Sequence, residues 1–198
     1  MGGTVDVPGY GKLSKGTGAN APLLVVFGGI TVGGVQSGVY MWNYMNGIKD
    51  RFHIFVALNS DVDGNKSYDA LMSKIDVESL TPSQQILYLF SGGYKPGMGL
   101  LKSKTSDLFS SIYLVDIWMG VTQKSHSIVP DFYKALVDKI PAKITYVYTS
   151  FGANNDAARD YIANRLGSQK RTLVKGQKGE EGMQTHMRTN TVAVGMLP

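Results

Sequence analysis

A serine hydroxyl becomes a nucleophile only beside a general base, and a third group must orient that base. The sequence offers one setting with that potential. Ser91 directly follows the apolar run Gln85–Phe90 (QILYLF), and Gly92 and Gly93 follow Ser91. An abrupt strand end with glycines behind it is what a strained strand–turn–helix elbow requires. Three histidines are present, His53, His126 and His186. His53 opens an apolar run and reads as structural. His126 lies between Lys124 and Pro130, where it would line the mouth of the site or substitute as base if the acid were Asp116. His186 sits in a glycine-rich stretch after the last apolar run, which makes it the preferred base. Two carboxylates precede it at strand ends, Asp116 and Asp156, giving the order Ser…Asp…His. Cysteine is absent, which excludes thiol catalysis, disulfides and Cys-ligated zinc.

These groups need a scaffold, and the hydrophobic pattern supplies one. Short apolar, β-branched or aromatic runs recur at 22–28, 52–59, 85–91, 111–119 and 143–150, with a weaker one at 171–175. They are nearly continuous and not alternating, as in strands covered on both faces of a parallel sheet. Residues 35–45, 68–75, 130–141, 155–166 and 189–197 read as helices. Pro96 falls where the helix after Ser91 should begin, so that helix is expected to start late or run short. The alternation predicts an α/β protein with a doubly wound, mostly parallel sheet of about six strands in three α/β/α layers. Residues 1–21, rich in glycine and polar residues, read as a flexible or weakly structured arm before a single domain over 22–198. In such sheets ligands bind at the carboxyl ends of the strands, where all the candidate groups lie.

From about Pro22 onward the chain resembles the α/β-hydrolase superfamily. Leu23–Ile30 (LLVVFGGI) is similar to the family's strand and oxyanion turn, with Phe27 where a histidine is common. Ile86–Tyr94 (ILYLFSGGY) is similar to the nucleophile elbow, although Leu89 stands where a small residue is usual. Gly152–Asp156 (GANND) resembles the acid loop, and Gly182–Met187 (GMQTHM) the histidine loop before the last helix. The resemblance implies Ser91 as nucleophile, His186 as base and Asp156 as acid. Asp116 is the alternative acid, because some members take theirs from that strand. It implies an oxyanion hole made by backbone N–H groups of Gly29 or Ile30 and of Gly92. It implies cleavage of an ester, thioester or amide through an acyl-enzyme, with no cofactor and no metal. Phe27, Tyr94, Trp118 and His126 are the expected pocket residues.

Each piece also has a plainer reading. Ser-Gly-Gly can be a turn, Asp156 a helix cap and His186 a surface residue. The competing functions are a catalytically inert hydrolase-like binding or structural protein, and an α/β nucleotide- or sugar-binding domain. Gly28, Gly29, Gly33 and Gly34 match neither GxGxxG nor GxxxxGK[ST], which weakens the nucleotide reading. Asp61–Asp69 hints at a calcium loop, but Gly64 is at the fourth position and Met72 stands where the bidentate glutamate belongs.

Composition narrows the partners. Twenty Lys+Arg against 15 Asp+Glu give a formal charge of +5. The basic residues from Arg165 to Arg188 lack interleaved aromatics, so no nucleic-acid partner is expected. No apolar run approaches the roughly 20 residues of a membrane span. No signal-peptide core is present, and the compartment stays open between cytoplasm and an excised or processed domain. About a dozen residues separate the run at 111–119 from the helix at Pro130, too few for a folded lid. An open site, suited to a bulky, polymeric or surface-attached substrate, is the expectation. Lys95, Lys102 and Lys104 add the expectation of a mildly acidic one.

Overall fold

A computed structural model describes residues 3–30, 35–104, 106–117, 131–149 and 156–198; side chains at 106, 131–133 and 156–158 are outside that description. Contacts divide the chain into two compact units, Met1–Ser110 and Ser111–Pro198.

The first unit contains β1 (Thr4–Val7), β2 (Gly11–Ser14), β3 (Leu23–Phe27), α1 (Ser37–Met45), β4 (His53–Ala57), α2 (Gly64–Val77), β5 (Gln85–Phe90) and α3 (Tyr94–Ser103). Its strand order is β1-β2-β4-β3-β5. β3 runs parallel to both β4 and β5, while β2 is antiparallel to β4 and to β1. Every residue of β3 and β4 is buried, which is why their runs are continuous and not alternating. Burying such side chains contributes about 1.5–3 kcal/mol each.

The segment over 1–21, expected as a flexible or weakly structured arm or one weak extra strand, contains two strands. It holds an antiparallel pair that extends the sheet, with Leu13 fully buried and paired to Phe55. His53 also fastens this segment: its Nδ1 accepts from Gly16 N at 3.1 Å, and Nε2 lies 3.1 Å from Ala19 O.

The second unit contains β6 (Ser111–Val115), α4 (Asp131–Lys139), β7 (Ile144–Thr149), α5 (Asp156–Arg165), β8 (Arg171–Val174) and α6 (Gly182–Gly195). β6, β7 and β8 are parallel neighbours in that order. The eight described strands and interleaved helices make an α/β fold with mostly parallel pairing.

Two boundaries differ from the sequence expectation. α3 begins at Tyr94, directly after a short 3-10 turn over Ser91–Gly93, so Pro96 neither delays nor shortens it. Pro96 is the third residue of α3, and the first four N–H groups of a helix have no internal acceptor, so the missing donor costs nothing. α6 begins at Gly182, not near Thr189, because Glu181 and Gln184 form a reciprocal capping box.

Candidate active site

The register of the first unit builds the turn around Ser91. Phe27 pairs with Leu89 across β3 and β5. Two residues further on, Gly29 and Ser91 meet: a Cβ placed on Gly29 would lie 3.2 Å from Ser91 Oγ and 3.0 Å from Ser91 Cβ. One residue beyond, a Cβ on Gly92 would lie 3.3 Å from the Ile30 nitrogen. Ser91 is 2% exposed and has φ +50°, the left-handed region that L-residues rarely occupy. Gly93 makes the turn sterically feasible, since a Cβ there would sit 2.1 Å from Phe27 O. Ser91, Gly92, Gly29 and Ile30 thus come together.

Tyr40, which the sequence reading passed over, lies against the same turn. Its hydroxyl donates to Ile30 O at 3.0 Å, and a Cβ on Gly29 would be 2.8 Å from Tyr40 Oη. Burial pushes the Tyr40 phenol up to about 12, against the lowering effect of a hydrogen bond from Gly29, so it stays a donor. The available signal was a lone hydroxyl-bearing aromatic in the first turn of the helix that follows a glycine turn.

The second unit holds a carboxylate–imidazole pair. Asp116 follows β6, is 1% exposed and has φ +37°. His186 Nδ1 lies 2.7 Å from Asp116 Oδ2, within the range of a charge-assisted hydrogen bond. Thr149, the last residue of β7, donates its N–H to Asp116 Oδ1 at 3.0 Å and its hydroxyl to Oδ2 at 2.9 Å. An ionised carboxylate has only acceptor sites, so Nδ1 is the donor in this contact. The same carboxylate, facing the fully buried Tyr146, adds to the burial that drives that phenol's pKa upward.

His186 sits on the second turn of α6, not in a loop. Among the described residues its carboxylate partner is Asp116, the alternative acid, because the left-handed turn after β6 and the two Thr149 donors hold that carboxylate beside the ring. Asp156 begins α5, and its side chain lies outside the described residues. Phe27, an expected pocket residue, is fully buried, edge-on to Phe55 at 6.5 Å. Tyr94 opens α3 and is partly exposed. Trp118, His126 and the segment read as too short for a lid lie outside the described residues. Of the lysines after Ser91, Lys95 lies 3.8 Å from Asp61 and Lys104 2.8 Å from Asp69, so neither is a bare cation awaiting an acidic substrate. Asp63, from the suspected calcium loop, caps α2 by accepting from Asn65 and Lys66 N–H. No helix among the described residues is long and apolar enough to cross a membrane.

Solved structures of similar fold fit this architecture. An esterase from a Rhodococcus species is 11% identical, covers 98% of each chain and has a TM-score of 0.52. Est1E from Butyrivibrio proteoclasticus is 13% identical, over 98% of this chain and 96% of its own, with a TM-score of 0.51. A poly(3-hydroxybutyrate) depolymerase from Bordetella parapertussis is 14% identical, over 95% of this chain and 85% of its own, at 0.50. No family model and no curated relative matches the sequence. The chain has the α/β-hydrolase fold.

Proposed function

We infer that this protein is a serine hydrolase that cleaves an ester, thioester or amide bond through an acyl-enzyme. The observation that carries the reading is Ser91, a non-glycine residue held at φ +50° at the end of β5 with glycine backbone against its hydroxyl. Strain of this kind persists where the surroundings enforce it, and it clusters at reactive sites. The Asp116–His186 pair supports the reading, as do the esterase and depolymerase among the chains of similar fold.

In the proposed mechanism His186 Nε2 takes the Ser91 proton as Oγ attacks the acyl carbon. Asp116 keeps Nδ1–H in place and stabilises the imidazolium. The N–H groups of Ile30 and Gly92, with Gly29 beside them, receive the developing oxyanion. The proton passes to the leaving group, and water then releases the acid. A bulky, polymeric or surface-attached substrate belongs to this proposal.

The test is labelling by a fluorophosphonate probe. Wild-type protein takes up the label and Ser91→Ala does not, while circular dichroism shows both folded. A folded wild-type protein that remains unlabelled would instead be an inert scaffold.

A further inference from the structure

An open cleft of about 530 Å³, lined by polar and apolar atoms in near-equal share, lies beside the nucleophile turn, within the volume range of small-molecule sites. Ser60, Asp61, Asn65, Lys95, Gly99 and Ser103 line it. Ser60 joins the cleft to the turn: its Cβ is 3.5 Å from where a Gly92 Cβ would lie. Ser60 is 3% exposed, and among the described residues no hydrogen bond occupies its hydroxyl. Lys95 is the fourth residue after Ser91, so the wall of the cleft is the start of α3 itself. At its base Gly64 packs so closely on Pro96 O that a Cβ would sit 1.9 Å from it.

The lining selects among ligand chemistries. An apolar acyl chain would strip water from a carboxylate, an ammonium, an amide and hydroxyls without replacing their hydrogen bonds. An anion would face Asp61, and a cation would face Lys95. A neutral group bearing several hydroxyls meets both needs, since each hydroxyl donates to Asp61 and accepts from Lys95 or Asn65. The Lys95–Asp61 pair is long at 3.8 Å, and its side chains are 52% and 81% exposed, so a ligand exchanges into it readily. Ser103 Oγ donates to Asn65 Oδ1 at 2.8 Å, which leaves the Asn65 amide N–H groups for a ligand. We propose that this cleft is the subsite for the alcohol half of the substrate, and that the alcohol is a polyol such as a sugar.

The inference rests on the serine-hydrolase reading. In it the bond between the acyl carbon and the sugar oxygen breaks as the Ser91 ester forms, and the Ser91 proton leaves on that sugar oxygen. Water then splits the ester into free acid and Ser91.

Two esters with one acyl group, 6-O-acetylglucose and ethyl acetate, differ only in the alcohol and can be compared by pH-stat on the full chain. The expected ratio of kcat/KM, sugar ester over ethyl ester, is at least tenfold. It should fall at least fivefold, through KM for the sugar ester, in Asp61→Ala/Lys95→Ala and separately in Gly99→Leu, which fills the cleft where a Cβ meets open space. A wild-type ratio near one, or a ratio that both variants leave unmoved, overturns the polyol assignment while the hydrolase reading stands. No turnover of either ester, with no fluorophosphonate label on Ser91, removes both.

Discussion

Ser91 and Asp116 occupy equivalent places in two different units. Each ends a parallel strand, each is a non-glycine residue with positive φ, and each is almost fully buried. What holds them differs. Ser91 is fixed by close backbone contact: Gly93 lies against the carbonyls of Phe27 and Gly28, and Gly29 lies against Ser91 itself. Asp116 is fixed by hydrogen bonds from Thr149 and His186. One turn depends on the absence of side chains and the other on particular donors. The two therefore fail under different substitutions.

The largest effect is expected on the hydrogen-bonded side. Asp116→Asn replaces an acceptor that three donors share with a group that must point N–H at one of them. In the proposed mechanism this lowers kcat by roughly 10⁴, the scale for a triad acid made neutral, with the fold retained. Steady-state kinetics with a chromogenic ester decides it, and a loss under tenfold would detach Asp116 from the chemistry. On the close-contact side, Gly93→Ala puts a methyl group into the Phe27 carbonyl. It should destabilise the protein by about 3 kcal/mol, the upper range for overpacking. Urea unfolding reads this, and an unchanged midpoint would mean that the turn relaxes freely. Tyr40→Phe removes the donor to Ile30 O but keeps the ring against Phe90. It should cost about tenfold in kcat, or about 1.4 kcal/mol, with KM and thermal midpoint little changed. Equal effects on kcat and stability would reduce Tyr40 to packing.

The smallest effect lies near the start of α6. Arg188 donates to Glu180, and with the Gln177 N–H it holds the Glu180 carboxyl at about 2, below its usual value of 4.5. A depressed acid stabilises the fold above its unfolded value, and that contribution is lost as pH falls from about 4.5 towards 2. Glu180→Gln should flatten the acid side of the thermal-midpoint profile in that window. A profile with the same slope would show that the pair contributes nothing.

The five buried strands, β3 to β7, were legible because burial on both faces writes continuous apolar runs, while β8, with only Val174 buried, writes a weaker one. β1 and β2 were not, because four-residue strands carry little pattern and the strand that β2 joins, β4, is distant in sequence. Ser91, Gly29, Ile30 and Gly92 could be read from their places at strand ends. The choice between Asp116 and Asp156 could not. It rests on Thr149, 33 residues from Asp116, and on His186, 70 residues away, and no local spacing encodes those contacts. Tyr40 was hidden for the same reason: its role comes from the fold over the glycine turn, not from its own neighbours in sequence.

His186 on a helix instead of a loop has a consequence for heat inactivation. A loop histidine can shift without disturbing any regular element, whereas this ring keeps its place only while the first two turns of α6 stay wound. Helix ends open locally at far lower free energy than whole domains. In the proposed enzyme, fraying at Glu181–Gln184 would carry the imidazole away from Asp116 while β6 to β8 remain paired. Heat would then silence the protein reversibly, through the unwinding of a few residues, well before it melts.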